Sequence, residues 1–164
     1  MKWATCNVGA NSPEEYGDYY AWGETKTKSR YGEDNCETYN KNIDDIGGTS
    51  RDVAHVRWGS SWRMPTKAEF EELVKKCDWK WTTLDGVSGY RVTGKNGNSI
   101  FLPAAGWRFG TSLYHAGEDG FYWSSTPLGY DIWNAYYLSF GSRLYEWGYG
   151  NRYTGRSVRP VSDF

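Results

Sequence analysis

Two hydrophobic periods run along this chain, and the change from one to the other divides it. Residues 51–77 follow a helical period. Arg51-Asp-Val-Ala-His-Val-Arg-Trp58 reads as a short helix capped by Thr49 or Ser50 and stopped by Gly59, with Val53, Val56 and Trp58 toward the core. Along Lys67–Cys77, Ala68, Phe70, Leu73, Val74 and Cys77 fall on one helical face. Thr66 stands as its N-cap, and Glu69 three residues later completes a capping box. From Trp79 the period drops to two. Trp79–Thr83 and Val87–Thr93 predict strands joined at Asp85-Gly86, and Ser99–Leu102 follows a turn at Lys95-Asn-Gly-Asn98. A loop running to Gly120 precedes the last predicted strands, Tyr122–Ser125, Ala135–Phe140, Arg143–Trp147 and Ser157–Val161. Upstream, Lys2–Gly9 reads as a first strand, Tyr16–Gly23 as an extended aromatic piece, and 24–48 as one long loop. Two helices in the first half followed by an antiparallel run make an α+β domain.

Composition sharpens this picture in two respects. The 164 residues fit one domain with a real core, and 10 Trp, 14 Tyr, 6 Phe and 20 Gly describe a turn-rich fold filled by large rings. Trp58, Trp62, Trp79, Trp81, Trp107 and Trp123 are read as core residues. A formal net charge of −1 lacks the basic excess of a nucleic-acid binder. Nowhere is there the run of roughly 18 apolar residues that a membrane helix needs. Met1-Lys2-Trp3 leads straight into the first strand, so the chain is read as the C-terminal part of a longer protein. Cys6, Cys36 and Cys77 are odd in number and far apart, which permits at most one disulfide and leaves no CxxC pair for zinc.

Three stretches carry a family resemblance. Trp58-Gly-Ser-Ser-Trp-Arg-Met-Pro-Thr-Lys-Ala-Glu-Phe-Glu-Glu-Leu73 resembles the Trp-rich entry into the second helix of C-type-lectin-fold proteins of the formylglycine-generating-enzyme-like group. Asn98-Ser-Ile-Phe-Leu-Pro-Ala-Ala-Gly106, and Tyr122-Trp-Ser-Ser-Thr126 with Arg156-Ser-Val-Arg-Pro-Val161, resemble the Fibrobacter-succinogenes major paralogous domain. The likeness runs from Trp3 to Val161 and implies a C-type-lectin-like domain, with two helices, antiparallel sheets and much irregular structure. The same group holds the variable proteins of diversity-generating retroelements, whose C-terminal segment is rewritten at asparagine-type codons. That resemblance implies a variable region over 120–161. Its frame would be Trp123, Pro127, Ala135, Leu138, Phe140, Trp147, Arg152, Gly155 and Val158. The positions presented to ligand would be Leu128, Gly129, Tyr130, Asp131, Ile132, Tyr137, Ser139, Gly141, Arg143, Leu144, Glu146, Gly148, Tyr149, Gly150, Asn151, Tyr153 and Thr154. Glu146 departs from the scheme, because changing the first two bases of an asparagine codon cannot produce glutamate.

The residues themselves lead the same way. Tyr, Gly, Ser and Asn dominate 128–154, the chemistry of paratopes, in which Tyr supplies contact area with few rotors. In Tyr137-Leu-Ser-Phe-Gly141, Leu138 and Phe140 alternate with the other three, so the first pair packs inward and Tyr137, Ser139 and Gly141 face outward. Tyr130, Tyr145, Tyr149 and Tyr153 are read as exposed, and Arg156 and Arg159 as structural, with Arg143 and Arg152 open between the two roles.

Catalytic chemistry finds little support. His55 and His115 lack the oriented partner that a general base needs, and neither HExxH nor GxSxG occurs. Formylglycine-generating enzymes work through a cysteine pair near the C-terminus, and here no Cys follows Cys77. Asp131-Ile-Trp-Asn134 only hints at a lectin calcium motif, since Ala135 stands where the next acid would be. The expectation is therefore a non-enzymatic recognition domain without cofactor or metal. It would bind a protein or glycan on a cell surface, from a phage tail or a bacterial exterior. The alternative is a surface domain of fixed sequence binding the same kinds of ligand.

Overall fold

Thr66 starts the longer helix as its sequence requires. In the computed structural model, which describes residues 1–163, α2 spans Lys67–Lys76. The Thr66 hydroxyl accepts from the Glu69 amide (3.1 Å), and Glu69 Oε1 accepts from the Thr66 amide (2.8 Å). Phe70 and Leu73 are buried, whereas Ala68, expected on the same face, is exposed. The shorter helix α1 is Val53–Trp58, and its cap is Asp52 rather than Thr49 or Ser50. Asp52 is fully buried. Its Oδ1 accepts from the His55 amide, and its Oδ2 accepts from the Gly48 and Met64 amides (2.9 and 2.8 Å). One carboxylate thus starts a helix and ties down two loops, which neither hydroxyl could do. Val56 lies on the open side of this short helix and is exposed.

The strands are β1 (Lys2–Trp3), β2 (Trp62–Arg63), β3 (Asp78–Leu84), β4 (Val87–Thr93), β5 (Ser99–Pro103), β6 (Trp107–Phe109), β7 (Ser112–Tyr114), β8 (Gly120–Pro127), β9 (Asn134–Gly141), β10 (Leu144–Asn151) and β11 (Val161–Ser162). Every strand pairing within the sheets is antiparallel, and with two helices the architecture is α+β. The orders are β1-β11-β2, β3-β4-β5, β6-β7 and β10-β9-β8. Asp85 and Gly86 both take positive φ (48° and 81°), which makes the tight β3–β4 turn foreseen from Asp-Gly.

Three sequence expectations change here. Only Lys2–Trp3 of the first predicted strand pairs in a sheet. Ala4 and Val8 instead donate single bonds to the Pro160 and Val158 carbonyls. The last predicted strand is likewise shortened to Val161–Ser162, because residues 155–158 bond alternately to several segments. Ser157 N–H reaches the Phe121 carbonyl, Trp123 N–H the Ser157 carbonyl, and Arg156 and Tyr20 exchange both bonds. The stretch assigned to loop before Gly120 contains the β6–β7 hairpin. Residues 24–48 are largely irregular apart from one 3-10 turn at Glu33–Asn35, yet they are well tied. Tyr31 exchanges two backbone bonds with Gly110, and the Thr38 hydroxyl donates to the Trp22 carbonyl (2.6 Å).

Two cores lie on opposite sides of β8 and β9. Trp123 and Ala135 point into one, with Tyr20, Trp22, Met64 and Val158. Tyr122, Leu138 and Phe140 point into the other, with Phe70, Leu73 and Tyr90. Alternation along a strand produces this split, and covering both faces makes the middle of the sheet a stiff support. The three cysteines are free, so the single permitted disulfide does not form. Among the described residues no helix is long and apolar enough to cross a membrane.

Candidate ligand-recognition surface

β9 and β10 form a continuous hairpin, in one-to-one register from Gly141↔Leu144 to Asn134↔Asn151. Opposite residues share a face, so Tyr136, Leu138 and Phe140 stand with Tyr149, Trp147 and Tyr145. On the other face Ala135, Tyr137, Ser139 and Gly141 stand with Gly150, Gly148, Glu146 and Leu144. The hairpin's root is the loop 128–132, and arginines from the segment just beyond β10 hold both in place.

Arg152 is the clamp. Its side chain is buried and donates to four carbonyls: Thr38 (3.0 Å), Lys41 (2.7 Å), Asn134 (3.2 Å) and Asp131 (3.3 Å). The guanidinium also lies 4.5 Å above the Trp22 ring. Burial pushes its pKa down, an effect that the nearby Asp131 carboxylate opposes. Asp131 itself is consumed by the loop. Its Oδ1 accepts from the Trp133 and Asn134 amides (2.7 and 3.1 Å), and its Oδ2 accepts from Asn134 Nδ2 (2.7 Å). Desolvation raises its pKa, but these hydrogen bonds outweigh it and leave the carboxyl below its ordinary value. Both acceptor oxygens are thus engaged within the loop, and Asp131 organises it rather than reaching out to a ligand.

Arg156 supports the hairpin from the other face. Its guanidinium is surrounded by rings: Tyr137 at 4.4 Å, Phe121 at 4.7 Å, and Trp107 and Trp123 at 5.3 Å. Nε donates to the Thr154 hydroxyl (3.1 Å), while Nη1 has no hydrogen-bond partner among the described residues. Burial pushes its pKa down to about 10, with the neighbouring Tyr137 acting in the opposite sense. Desolvated cation–π contacts contribute up to about 2 kcal/mol each, and here they hold the cation in place of a carboxylate. Arg159, by contrast, spends its three nitrogens on Asn7 Oδ1 and the Ala4 and Phe101 carbonyls.

The candidate positions therefore separate into three groups. Tyr130, Gly129, Arg143, Leu144, Glu146 and Tyr149 are exposed, with Tyr130 fully open and Leu144 and Tyr149 more than half so. Leu128, Ile132, Ser139, Gly141, Asn151 and Tyr153 are half-buried around them. The remaining five are corrected from presented to structural, Asp131 because both its oxygens are engaged within its own loop. Thr154 is buried, because its hydroxyl donates to the Asn151 carbonyl (2.8 Å) and accepts from Arg156. Tyr137 does not face solvent freely, since its ring is held between Arg156 and the strand beneath. Gly148 and Gly150 are that strand: a Cβ on Gly148 would stand 2.9 Å from Tyr137 Cε1, and one on Gly150 2.8 Å from Tyr137 Cε2. The glycines are small because the tyrosine lies across them.

This contact yields a coupled prediction. Gly148→Ala alone should lower stability by about 1–3 kcal/mol by overpacking. In a Tyr137→Ser background the same change should cost far less, a coupling of at least ~1 kcal/mol in a double-mutant cycle followed by urea unfolding. Additive costs would show that the ring does not rest on the glycine.

Several other expectations are revised. Tyr145, read as exposed, is half-buried and stacks on Trp79 (4.5 Å, 3° between planes). Trp147, assigned to the frame, is 41% exposed because it lies on the outer strand of the sheet. Lys67 Nζ sits 3.9 Å above its ring and 4.8 Å above Tyr136. Trp58, Trp62, Trp79, Trp81 and Trp107 are half-buried rather than core. Sequence reasoning missed Trp133, Phe109, Leu113 and Tyr114, which are all exposed. Alternation in Trp107–Phe109 could have revealed the second hairpin, and with it Phe109.

The surface is broad rather than concave. A cavity of about 420 Å³ lies away from it between Trp3, Leu73, Cys77, Val92 and Ile100. A cleft of about 330 Å³ borders it where Tyr153 and Phe109 face Arg30, Glu33 and Asp34. The histidines are occupied elsewhere, His55 Nδ1 with the Trp62 carbonyl (3.1 Å) and His115 Nδ1 with Asp119 (2.8 Å). Among the described residues no group of three or more His, Cys, Asp or Glu side chains is placed to hold a metal ion. Comparison with known protein families, curated proteins and solved structures finds no match to this chain.

Proposed function

We propose that this chain is a ligand-recognition domain that displays replaceable side chains on the loop 128–132 and the β9–β10 hairpin. One observation carries the reading. Within a single short segment, Ala135, Leu138, Phe140, Arg152 and Thr154 are fully committed to the fold. Arg143, Leu144, Glu146 and Tyr149 stand exposed between Phe140 and Arg152, and Tyr130 stands exposed just before Ala135. Open positions lie between and beside anchors along one segment, so the exposed set can change without disturbing its support. Exposed Tyr and Trp rimmed by Gly, Ser and Asn suit a protein or glycan surface, with binding concentrated in a few aromatic hot spots.

The two helices, the antiparallel sheets and the long irregular first half support a C-type-lectin-like domain of the formylglycine-generating-enzyme-like group. Within that group the interleaving is best explained by a variable protein of a diversity-generating retroelement, working outside the cell on a phage tail or bacterial surface. The test is the source genome. A reverse-transcriptase gene nearby and a second copy of the segment, with adenines at the codons of the exposed positions, are the expected findings. A lone gene without such a copy would replace this reading with a surface domain of fixed sequence.

A further inference from the structure

β10 is the outer strand of its sheet, and its free edge has a defined phase. The antiparallel ladder alternates between residues that bond across it and residues that turn both backbone groups away. Arg152 N–H donates to the Trp133 carbonyl (2.9 Å), which places 133 and 152 among the bonded pairs. Counting back by twos in the unbroken register, Gly150, Gly148, Glu146 and Leu144 bond inward to β9. Tyr145, Trp147 and Tyr149 therefore turn their N–H and C=O groups outward. Among the described residues no hydrogen bond reaches these groups from another segment.

Three other sheet edges in the molecule are managed. β8 is continued by Ser157, which exchanges bonds with Phe121 and Trp123. β5 offers the Phe101 carbonyl to Arg159. β3 carries exposed Asp78 and Lys80, the kind of charge that discourages pairing. β10 has eight residues, one charge, no proline and no bulge. It is also flanked by exposed Trp147 and Tyr149 on one face and exposed Leu144 on the other. A long, unbroken edge with exposed apolar side chains of this kind pairs with another chain unless something prevents it.

We infer that β10 binds a linear polypeptide segment by strand addition. This deepens the recognition reading proposed above, rests on it, and names an extended stretch of a protein as the ligand. The chemistry selects that occupant. The open groups alternate donor and acceptor at a repeat of roughly 7 Å, which an extended backbone matches and a glycan does not. Main-chain bonds to Tyr145, Trp147 and Tyr149 supply affinity, and alternate side chains of the ligand pack beside Trp147 and Tyr149. Because the backbone contacts are indifferent to side chains, exposed positions on β10 and the hairpin tip can vary and still retain a common docking mode.

The test is selection of a displayed library of linear dodecapeptides on the immobilised domain, followed by N-methyl scanning of the best synthetic peptide. Peptides should be recovered. Methylation at alternate amides should weaken binding at least about tenfold, the worth of one hydrogen bond, with little effect at the amides between. Tyr149→Pro removes an outward N–H without touching the inward ladder, so the domain should fold. It should bind at least about tenfold more weakly than Tyr149→Ala. The N-methyl scan stands even if that variant misfolds. Failure to recover peptides overturns the inference, as does indifference to methylation. Peptides that ignore methylation but lose binding on Tyr130 or Leu144 replacement would overturn strand addition and leave the recognition surface standing. A concentration-dependent dimer abolished by Tyr149→Pro would overturn it in favour of self-pairing.

Discussion

Arg152→Met unfolds with a loss of about 3–5 kcal/mol, the cost of breaking a buried charged network from one side. The side chain gives four hydrogen bonds to carbonyls from two distant segments, residues 38–41 and 131–134. A methionine fills much of the volume but donates nothing, so those carbonyls lose a charged donor and the stacking over Trp22 is lost with it. At this chain length such a loss lowers Tm by roughly 6–20 °C. Arg143→Met is the matched control. Arg143 is exposed at the hairpin tip, and its replacement should change stability by no more than about 0.5 kcal/mol. Urea unfolding of both variants tests the assignment, and equal effects would remove Arg152 from the frame. A second consequence separates this clamp from generic packing. The loop 128–132 should exchange its amides faster in the mutant, because Asp131 and Asn134 lose their common anchor.

Trp123→Ala should be comparably severe, at about 3–5 kcal/mol. Trp123 is fully buried in β8, and its indole N–H donates to the Tyr20 carbonyl (2.8 Å). It also forms one wall of the ring cluster around Arg156. Truncation leaves a cavity in the first core, a Tyr20 carbonyl that keeps only its bond from the Arg156 amide, and a less supported cation. Trp123→Phe restores most of the volume without the N–H and should recover all but about 1–3 kcal/mol. If Trp123→Ala unfolds within 1 kcal/mol of the parent, the first core does not depend on β8.

Local chemistry was the most readable part of this chain. Thr66 and Glu69 capped α2, and Asp85-Gly86 made its hairpin, because both signals act within four residues. The inward positions Leu138 and Phe140 followed from a period of two, which survives wherever a strand has a covered face. Features decided by long-range partners were hidden. Asp52 caps α1 because Met64 and Gly48 also need its oxygen, and nothing near Thr49 announces that competition. Tyr137 appeared to point outward because alternation assigns a face without saying what lies on it. Arg156, from fifteen or more residues later, covers that face. Trp147 was misplaced for the converse reason, since a residue can share the inner face of a hairpin and still be open when its strand is the last in the sheet. Gly148 and Gly150 read as positions presented to ligand, whereas they make room for one ring.

The division into frame and display is tested most directly by two libraries of this domain, presented on a surface and sorted by resistance to protease. One randomises Tyr130, Arg143, Leu144, Glu146 and Tyr149 together, and the other randomises Ala135, Leu138, Arg152 and Thr154. Most members of the first should remain folded, since exposed substitutions typically stay within about 0.5 kcal/mol each, and panning them on an immobilised test protein should yield binders. Few members of the second should survive. Equal survival of the two libraries, or a first library that folds only with residues close to the parental ones, would contradict the account.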